Sequence, residues 1–306
     1  MKAVSYRAHG GPEVLEYGEL PEPVVGPDSV LIQVKAAAVN PVDWKAQAGY
    51  LDGMIRSVFP VVPGWDVSGV VVRLGADVPE YQVGDEVMGY VREDVLSQGT
   101  YAEYVAAPVR TLARKPERLS FEQAAGIPLA GLTAYQALRA VGAGSGDTVL
   151  VHAAAGGVGS MAVQLARHFG ARVIGTASEH NHDYLRSLGA EPVVYGDGLA
   201  ERVRALAPQG VNAVLDLVGG GVIHTSPELT APGARLVSIA DPEVSRLGGR
   251  LLWVRPDAAE LTILAELADL GVLSVEVAEA YPLARAADAQ RRSAEGHTRG
   301  KLILRP

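Results

Sequence analysis

The stretch from Thr148 to Ala166 limits what this chain can fold into more than any other. A β-rich apolar run, Thr148-Val-Leu-Val-His152, meets Ala153-Ala-Ala-Gly-Gly-Val-Gly159. Apolar residues then recur at Val158, Ala162, Leu165 and Ala166 with helical spacing. Strand, small-residue turn and helix in that order open a dinucleotide-binding βαβ unit. Ala154-x-Gly156-x-x-Gly159 is its glycine fingerprint, with alanine in the first place. Small residues let the backbone approach a pyrophosphate, Gly159 lets helix and strand pack closely, and the helix N-terminus turns N–H groups toward the anion. The backbone of Ala155, Gly156, Gly157, Val158 and Gly159 is therefore expected to hold the pyrophosphate. An ordinary strand-turn-helix is the bland alternative, and the flanking periodicities favour the nucleotide.

The rest of the chain divides around this segment. From Asp147 onward strand and helix alternate: Arg172 to Thr176, His182 to Leu188, Pro192 to Tyr195, Leu199 to Leu206, Ala213 to Leu217, Arg235 to Ser238 and Leu251 to Val254. Such alternation means βαβ units on a parallel sheet. Upstream, Ser29 to Ala37 alternates Val30, Ile32 and Val34 against Leu31, Gln33 and Lys35. Val67 to Leu74, Glu86 to Tyr90 and Tyr101 to Ala106 continue the strand pattern between turn signals such as Val83-Gly84-Asp85. This reads as a small, mostly-β barrel. A last helix (Ala258 to Leu270), a strand near Val275 and the run Lys301 to Leu304 are expected to return to it, because one short strand cannot stand alone.

Which nicotinamide the loop takes is decided at the tip of the next strand. An NAD site carries Asp or Glu there, ~20 residues after the glycines, on the ribose 2′-hydroxyl. Here the tip is Thr176-Ala-Ser178 and holds no carboxylate. Glu179 comes too late, at the start of the next helix, where an acidic residue suits the helix dipole. Ser178 can donate to a 2′-phosphate, with His180 beside it, so NADP(H) is favoured over NAD(H).

Composition removes several classes. Among 306 residues there is no cysteine, which excludes disulfides, thiolate nucleophiles and cysteine-ligated zinc. A net charge of -8 argues against a protein whose main task is binding nucleic acid. The longest apolar runs fall far short of the ~20 residues of a membrane span, and Met1-Lys2-Ala3-Val4 begins no signal-peptide core. A cytoplasmic protein is expected.

Taken together, the chain resembles the medium-chain dehydrogenase/reductase superfamily, in its zinc-free quinone oxidoreductase (ζ-crystallin-like) branch. The likeness rests on Ala38-Val-Asn-Pro-Val-Asp-Trp-Lys45, Val62-Pro-Gly-Trp-Asp-Val-Ser-Gly-Val-Val71, Val83-Gly-Asp-Glu-Val87, Gly99-Thr-Tyr-Ala-Glu-Tyr104, Gly131-Leu-Thr-Ala-Tyr135 and the glycine loop. It implies an α/β fold: a Rossmann doubly wound parallel sheet plus a GroES-like mostly-β barrel domain. The expected boundaries are 1–121 for the catalytic domain, 122–262 for the NADP-binding domain and 263–306 for the C-terminal return. The active site is expected in the cleft between the domains. Zinc-dependent cousins place a Cys-His pair near Asn40 to Asp43 and Gly-His-Glu near Gly64 to Asp66. This chain has Asn-Pro-Val-Asp and Gly-Trp-Asp instead, so no metal is expected. Without a Lewis acid the implied reaction is NADPH-dependent hydride transfer onto a conjugated carbonyl compound, either a quinone or the C=C bond of an enone, enal or enoyl compound.

The resemblance also distributes roles. Asn40 is implied to hydrogen-bond a substrate oxygen near the nicotinamide, its bland reading being a turn residue before Pro41. Asp43 is expected either to orient Lys45 or to cap the following short helix. Lys45, where quinone reductases often carry tyrosine and some enone reductases lysine, is a candidate proton source or enolate stabiliser, or else a solvated helix residue. Tyr50 lies one position early for a family tyrosine and is a candidate proton donor. Thr133 is implied to contact the cofactor near its nicotinamide end, and Val218 is a further candidate for binding it. Ser178 and Tyr195 match two of the family's three 2′-phosphate residues, and the lysine position falls on His180 or Asn181. A homodimer through the last Rossmann strand is implied. The alternative function is a non-catalytic NADP(H)-binding redox sensor or structural protein.

Overall fold

The computed structural model describes residues Met1–Pro306. Its strands and helices fall into two units, Met1–Leu129 with Pro256–Pro306, and Ala130–Arg255. In chain order the strands of the first unit are β1 (Lys2–Ser5), β2 (Glu16–Glu19), β3 (Ser29–Val39), β4 (Arg56–Ser57), β5 (Asp66–Leu74), β6 (Glu86–Tyr90), β7 (Val95–Leu96), β8 (Tyr104–Pro108) and β9 (Leu112–Arg114). Its helices here are α1 (Pro41–Gln47) and α2 (Phe121–Ala125). Helix α3 (Pro128–Ala140) follows.

The second unit contains β10 (Thr148–Val151), α4 (Gly157–His168), β11 (Arg172–Thr176), α5 (His182–Ser187), β12 (Glu191–Val193), α6 (Leu199–Leu206), β13 (Val211–Asp216), α7 (Ser226–Leu229), β14 (Thr230–Ser238) and β15 (Arg250–Leu251). The chain ends in the first unit with α8 (Ala258–Asp269), β16 (Val277–Pro282), α9 (Ala286–Glu295) and β17 (Lys301–Arg305).

β3 organises the first unit. Its early half pairs with β8, its late half with β17, and β5 runs antiparallel along its other edge. With neighbours on every side, nearly the whole strand is buried, and the half-polar alternation visible in its sequence gives way. Register shifts at Leu31/Ile32 and Val34/Ala36 bend the strand, as bulges do where a sheet must curl. The sheet order is β16-β17-β3-β5-β6-β9 with β8 also on β3. Val30, Ile32, Val34, Val67, Val71, Leu112 and Leu302 fill its core.

The second unit is a six-stranded sheet in the order β12-β11-β10-β13-β14-β15, parallel throughout. Counted from β10, this is the 3-2-1-4-5-6 order of the doubly wound dinucleotide fold. The carboxyl ends of β10 and its neighbours form the edge where such sheets bind ligands. No helix is long and apolar enough to cross a membrane.

Among the elements that differ from the sequence reading, two bear on the account. The last Rossmann strand was expected over Leu251 to Val254, but β15 ends at Leu251, since pairing with β14 stops at Ser238. Helix α9 has no counterpart in that reading. Its buried face is Ala286, Ala289 and Gln290, too small and polar to stand out as an apolar stripe.

Candidate active site

The nucleotide loop is built from strain and close approach. Leaving β10, the chain turns at Ala153, whose φ of 53° is a left-handed conformation that an alanine adopts only under constraint. Thr176 at the tip of β11 supplies it: its Oγ1 accepts from the Ala153 N–H at 3.1 Å and its carbonyl from the Ala154 N–H at 3.0 Å. Gly156 then caps α4 in extended backbone, and its carbonyl accepts from the Ser160 N–H at 2.9 Å.

The two fingerprint glycines have different reasons. A Cβ on Gly159 would lie 2.2 Å from the Ala153 carbonyl oxygen and 2.7 Å from the Ala154 Cα, so helix and loop touch backbone to backbone there. Around Gly156 such a Cβ would meet a single neighbour at 3.4 Å, which leaves that face open. A closed glycine at the helix and an open one at the loop are what a pyrophosphate seated on a helix N-terminus requires. The residues present therefore fit a dinucleotide.

At the tips of the next two strands, Thr176 of β11 stands opposite Val193 of β12. Ser178 and Tyr195 each lie two residues beyond that pair, so the sheet register sets them side by side. Ser178 caps a 3₁₀ turn over Glu179–Asn181, which places Glu179 in the turn's first position. Ser178 Oγ lies 3.3 Å from His180 Nε2, and the Asn181 amide donates to Ser178 Oγ at 3.2 Å. Asn181 Nδ2 is also 3.2 Å from His180 Nε2. These three form one polar group, and Tyr195 is half-exposed. Val218, exposed beyond β13, is set by Asp216, whose Oδ1 accepts from the Val218 and Gly219 N–H groups at 2.9 Å each. Thr133 is buried in α3.

In the first unit the junction of β3 and α1 carries a buried polar cluster. Asn40 is 2% exposed and both ends of its carboxamide are engaged. Its Nδ2 donates to Asp66 Oδ2 at 2.9 Å, and its Oδ1 accepts from the Lys301 ammonium. Asp66 Oδ1 accepts from the Leu129 N–H at 2.8 Å. Asp43 Oδ2 accepts from the Asn40 N–H at 2.8 Å and the Tyr101 hydroxyl at 2.9 Å. Of the two expectations for Asp43, the geometry contains the cap. Asp43 faces the interior whereas Lys45 is exposed on the same helix, its ammonium 5.5 Å from the Trp44 ring. Tyr50 is 72% exposed and packs edge-on against Trp44 at 6.4 Å. Asn40 and Asp43 thus share one cluster, and Lys45 and Tyr50 belong to a separate, solvent-facing group.

Burial raises both carboxyls, Asp43 up to about 7 and Asp66 up to about 6. Hydrogen bonds to Asp43, and the Lys301 charge together with hydrogen bonds to Asp66, offset part of the rise. Burial also pulls Lys301 below the usual lysine range, against the opposing pull of the two carboxylates. Sequence reasoning missed Lys301 and the bonding role of Asp66. A signal exists for each: a charged residue stands directly before a mostly apolar run, Asp66 before Val67 to Val72 and Lys301 before Leu302 to Leu304. Neither the engaged carboxamide of Asn40 nor the indole of Trp65 offers a zinc ligand, and no three His, Cys, Asp or Glu side chains are grouped to hold a metal ion.

A parallel sheet in dinucleotide order in one unit and a curled β sheet in the other define a dehydrogenase of the medium-chain type, and comparison with known proteins agrees. Residues 26–117 match the alcohol dehydrogenase GroES-like domain and residues 157–252 the zinc-binding dehydrogenase domain. The tomato (Solanum lycopersicum) 2-methylene-furan-3-one reductase is 40% identical over 263 residues, covering 80% of this chain and 67% of that protein. The Arabidopsis thaliana chloroplastic NADPH-dependent alkenal/one oxidoreductase is 35% identical, covering 100% of this chain and 80% of its own. Among solved structures, the quinone oxidoreductase from Coxiella burnetii superposes with a TM-score of 0.88 at 37% identity, over 100% of this chain and 99% of that one. The chain belongs to the medium-chain dehydrogenase/reductase superfamily, in its quinone oxidoreductase branch.

Proposed function

We propose that this protein uses NADPH to reduce conjugated carbonyl compounds, quinones or the C=C bond of enones and enals, without zinc. The observation that carries the reading is the intact nucleotide loop. Gly156 is open toward a ligand, Gly159 is closed on the helix, and the strand tip beyond presents Ser178 in place of a carboxylate. The names of the reductases to which the chain is similar support the substrate class.

Ala155 to Gly159 would hold the pyrophosphate, Ser178, His180 and Tyr195 the 2′-phosphate, and Thr133 and Val218 the nicotinamide end. The bound cofactor supplies hydride to the β-carbon or quinone ring. The Asn40 amide donates to Asp66 Oδ2 at 2.9 Å and only at 3.5 Å to the Ala38 carbonyl, so a substrate oxygen would replace the longer contact, and the Lys301 ammonium on the amide oxygen makes that N–H a stronger donor. Asn40 is in this reading the group that polarises the substrate oxygen. Lys45 and Tyr50, both exposed, stabilise the developing enolate from the solvent side. The subunits pair as a homodimer through the open edge of β15, where Leu251 and Trp253 are each 45% exposed.

Product analysis tests the reaction. With NADPH and a cyclic enone, nuclear magnetic resonance should show a saturated ketone with its carbonyl intact. An allylic alcohol would mean direct carbonyl reduction and would contradict the proposal.

A further inference from the structure

Each conjugate reduction adds a hydride and a proton, and the proton needs a source. Asp43 and Asp66 are buried in one cluster of the first unit, with one cation, Lys301, 3.9 Å from Asp66 Oδ2. Away from water an uncompensated carboxylate is costly, so such a cluster retains a proton. Asp66 has both oxygens occupied by donors. Asp43 is arranged differently: Oδ2 takes two donors, whereas Oδ1 is buried without any protein partner.

Two donors on Oδ2 leave Oδ1 as the place for a proton. Asp43 lines a small cavity with Tyr6, Gly64, Trp65, Ser97 and the exposed Gln98. The space accommodates about one water. Thr100 Oγ1, behind the lining residue Gly64, is likewise buried and unpartnered. An orphan polar atom on a residue that lines a space of this size is the kind of partner a trapped water uses.

We propose that Asp43 stores the proton that completes the reduction and releases it from Oδ1 through a water in this cavity. The inference rests on the reduction proposed above. Hydride addition to the β-carbon leaves an electron pair on the enolate oxygen. The water hands that enolate a proton while the Asp43 Oδ1–H bond breaks, its electron pair staying on Oδ1. The carboxylate regains a proton from solvent at the Ser97–Gln98 rim. The groups that act on Asp43 are Asp66, Lys301 and the phenols of Tyr6, Tyr90 and Tyr101. Burial places its titration near neutrality, where a proton can be both given and regained.

Infrared pH titration of the cofactor-free full chain reads the store without turnover. A protonated-carboxyl band titrating near pH 7 should be present in wild type and absent in Asp43→Asn. In Tyr101→Phe its midpoint should move upward, since a donor to the charged form is gone. With an enone, Asp43→Asn should lose ~100-fold in kcat at neutral pH, with a larger solvent deuterium isotope effect and NADPH affinity unchanged. A band still titrating near pH 7 in Asp43→Asn, beyond the Asp66 band nearer pH 6, or a Tyr101→Phe midpoint that stays put, would overturn the assignment, as would kcat within about twofold of wild type. A wild type that shows the band yet reduces no enone or quinone would instead sink the reduction itself, and the stored proton's role with it.

Discussion

His152 closes β10 inside the nucleotide-binding unit, 1% exposed, with neither ring nitrogen hydrogen-bonded. Burial pulls its pKa down to about 4, against a weaker pull from Asp216, so the folded protein holds the ring neutral. The sign of the effect on stability follows. An unfolded histidine titrates near ~6.5, so between that pH and about 4 the unfolded chain binds the extra proton. The stability this group contributes is complete above ~6.5 and is lost as pH falls through the window. Thermal melts at pH 7 and pH 5 should show wild type losing more stability on acidification than His152→Phe. Equal losses in the two proteins would mean that His152 is not the group responsible. The same economy of buried polar atoms governs Asn40, where Lys301 and Asp66 fix both ends of one side chain.

Among the elements, the β10–α4 junction was the most legible from sequence, because its physics is local. The approach of α4 to the loop at Gly159 leaves no room for a Cβ, and only glycine satisfies it. The parallel sheet was legible too, since alternating strand and helix patterns have few other solutions. What escaped were features set by distant partners. Helix α9 buries two alanines and a glutamine, and its place depends on β17 and α1 rather than on its own stripe. Lys301 looks like an ordinary strand-end cation until β17 pairs with β3 and sets it against Asn40, 261 residues earlier. In the sequence Asp43 is a cap three residues past Asn40. Its second partner, Tyr101, comes from a loop that nothing near α1 announces. Edge strand β15 carries a prediction at this scale. The dimer proposed through its open edge should appear in light scattering as twice the 32.0 kDa chain mass. Leu251→Lys combined with Trp253→Lys should return it to the monomer mass. A wild type of monomer mass at every concentration would remove the dimer.

For the molecule as a whole, one unit has the strand order and glycine loop of a dinucleotide carrier, and the other has a buried carboxyl-lysine-carboxamide cluster. Neither alone distinguishes a reductase from a protein that merely keeps a cofactor. A strand tip with Ser178 in place of a carboxylate, together with the proposed proton store, favours a reductase, since reduction consumes hydride and proton together. The direct test is NADPH oxidation followed at ~340 nm against quinones, enals and cyclic enones, with NADH run in parallel. Turnover with NADPH clearly preferred is the expected result. Bound NADPH with no turnover on any acceptor would make this a cofactor-binding protein without catalysis, and failure to bind either cofactor would contradict the reading of the nucleotide loop itself.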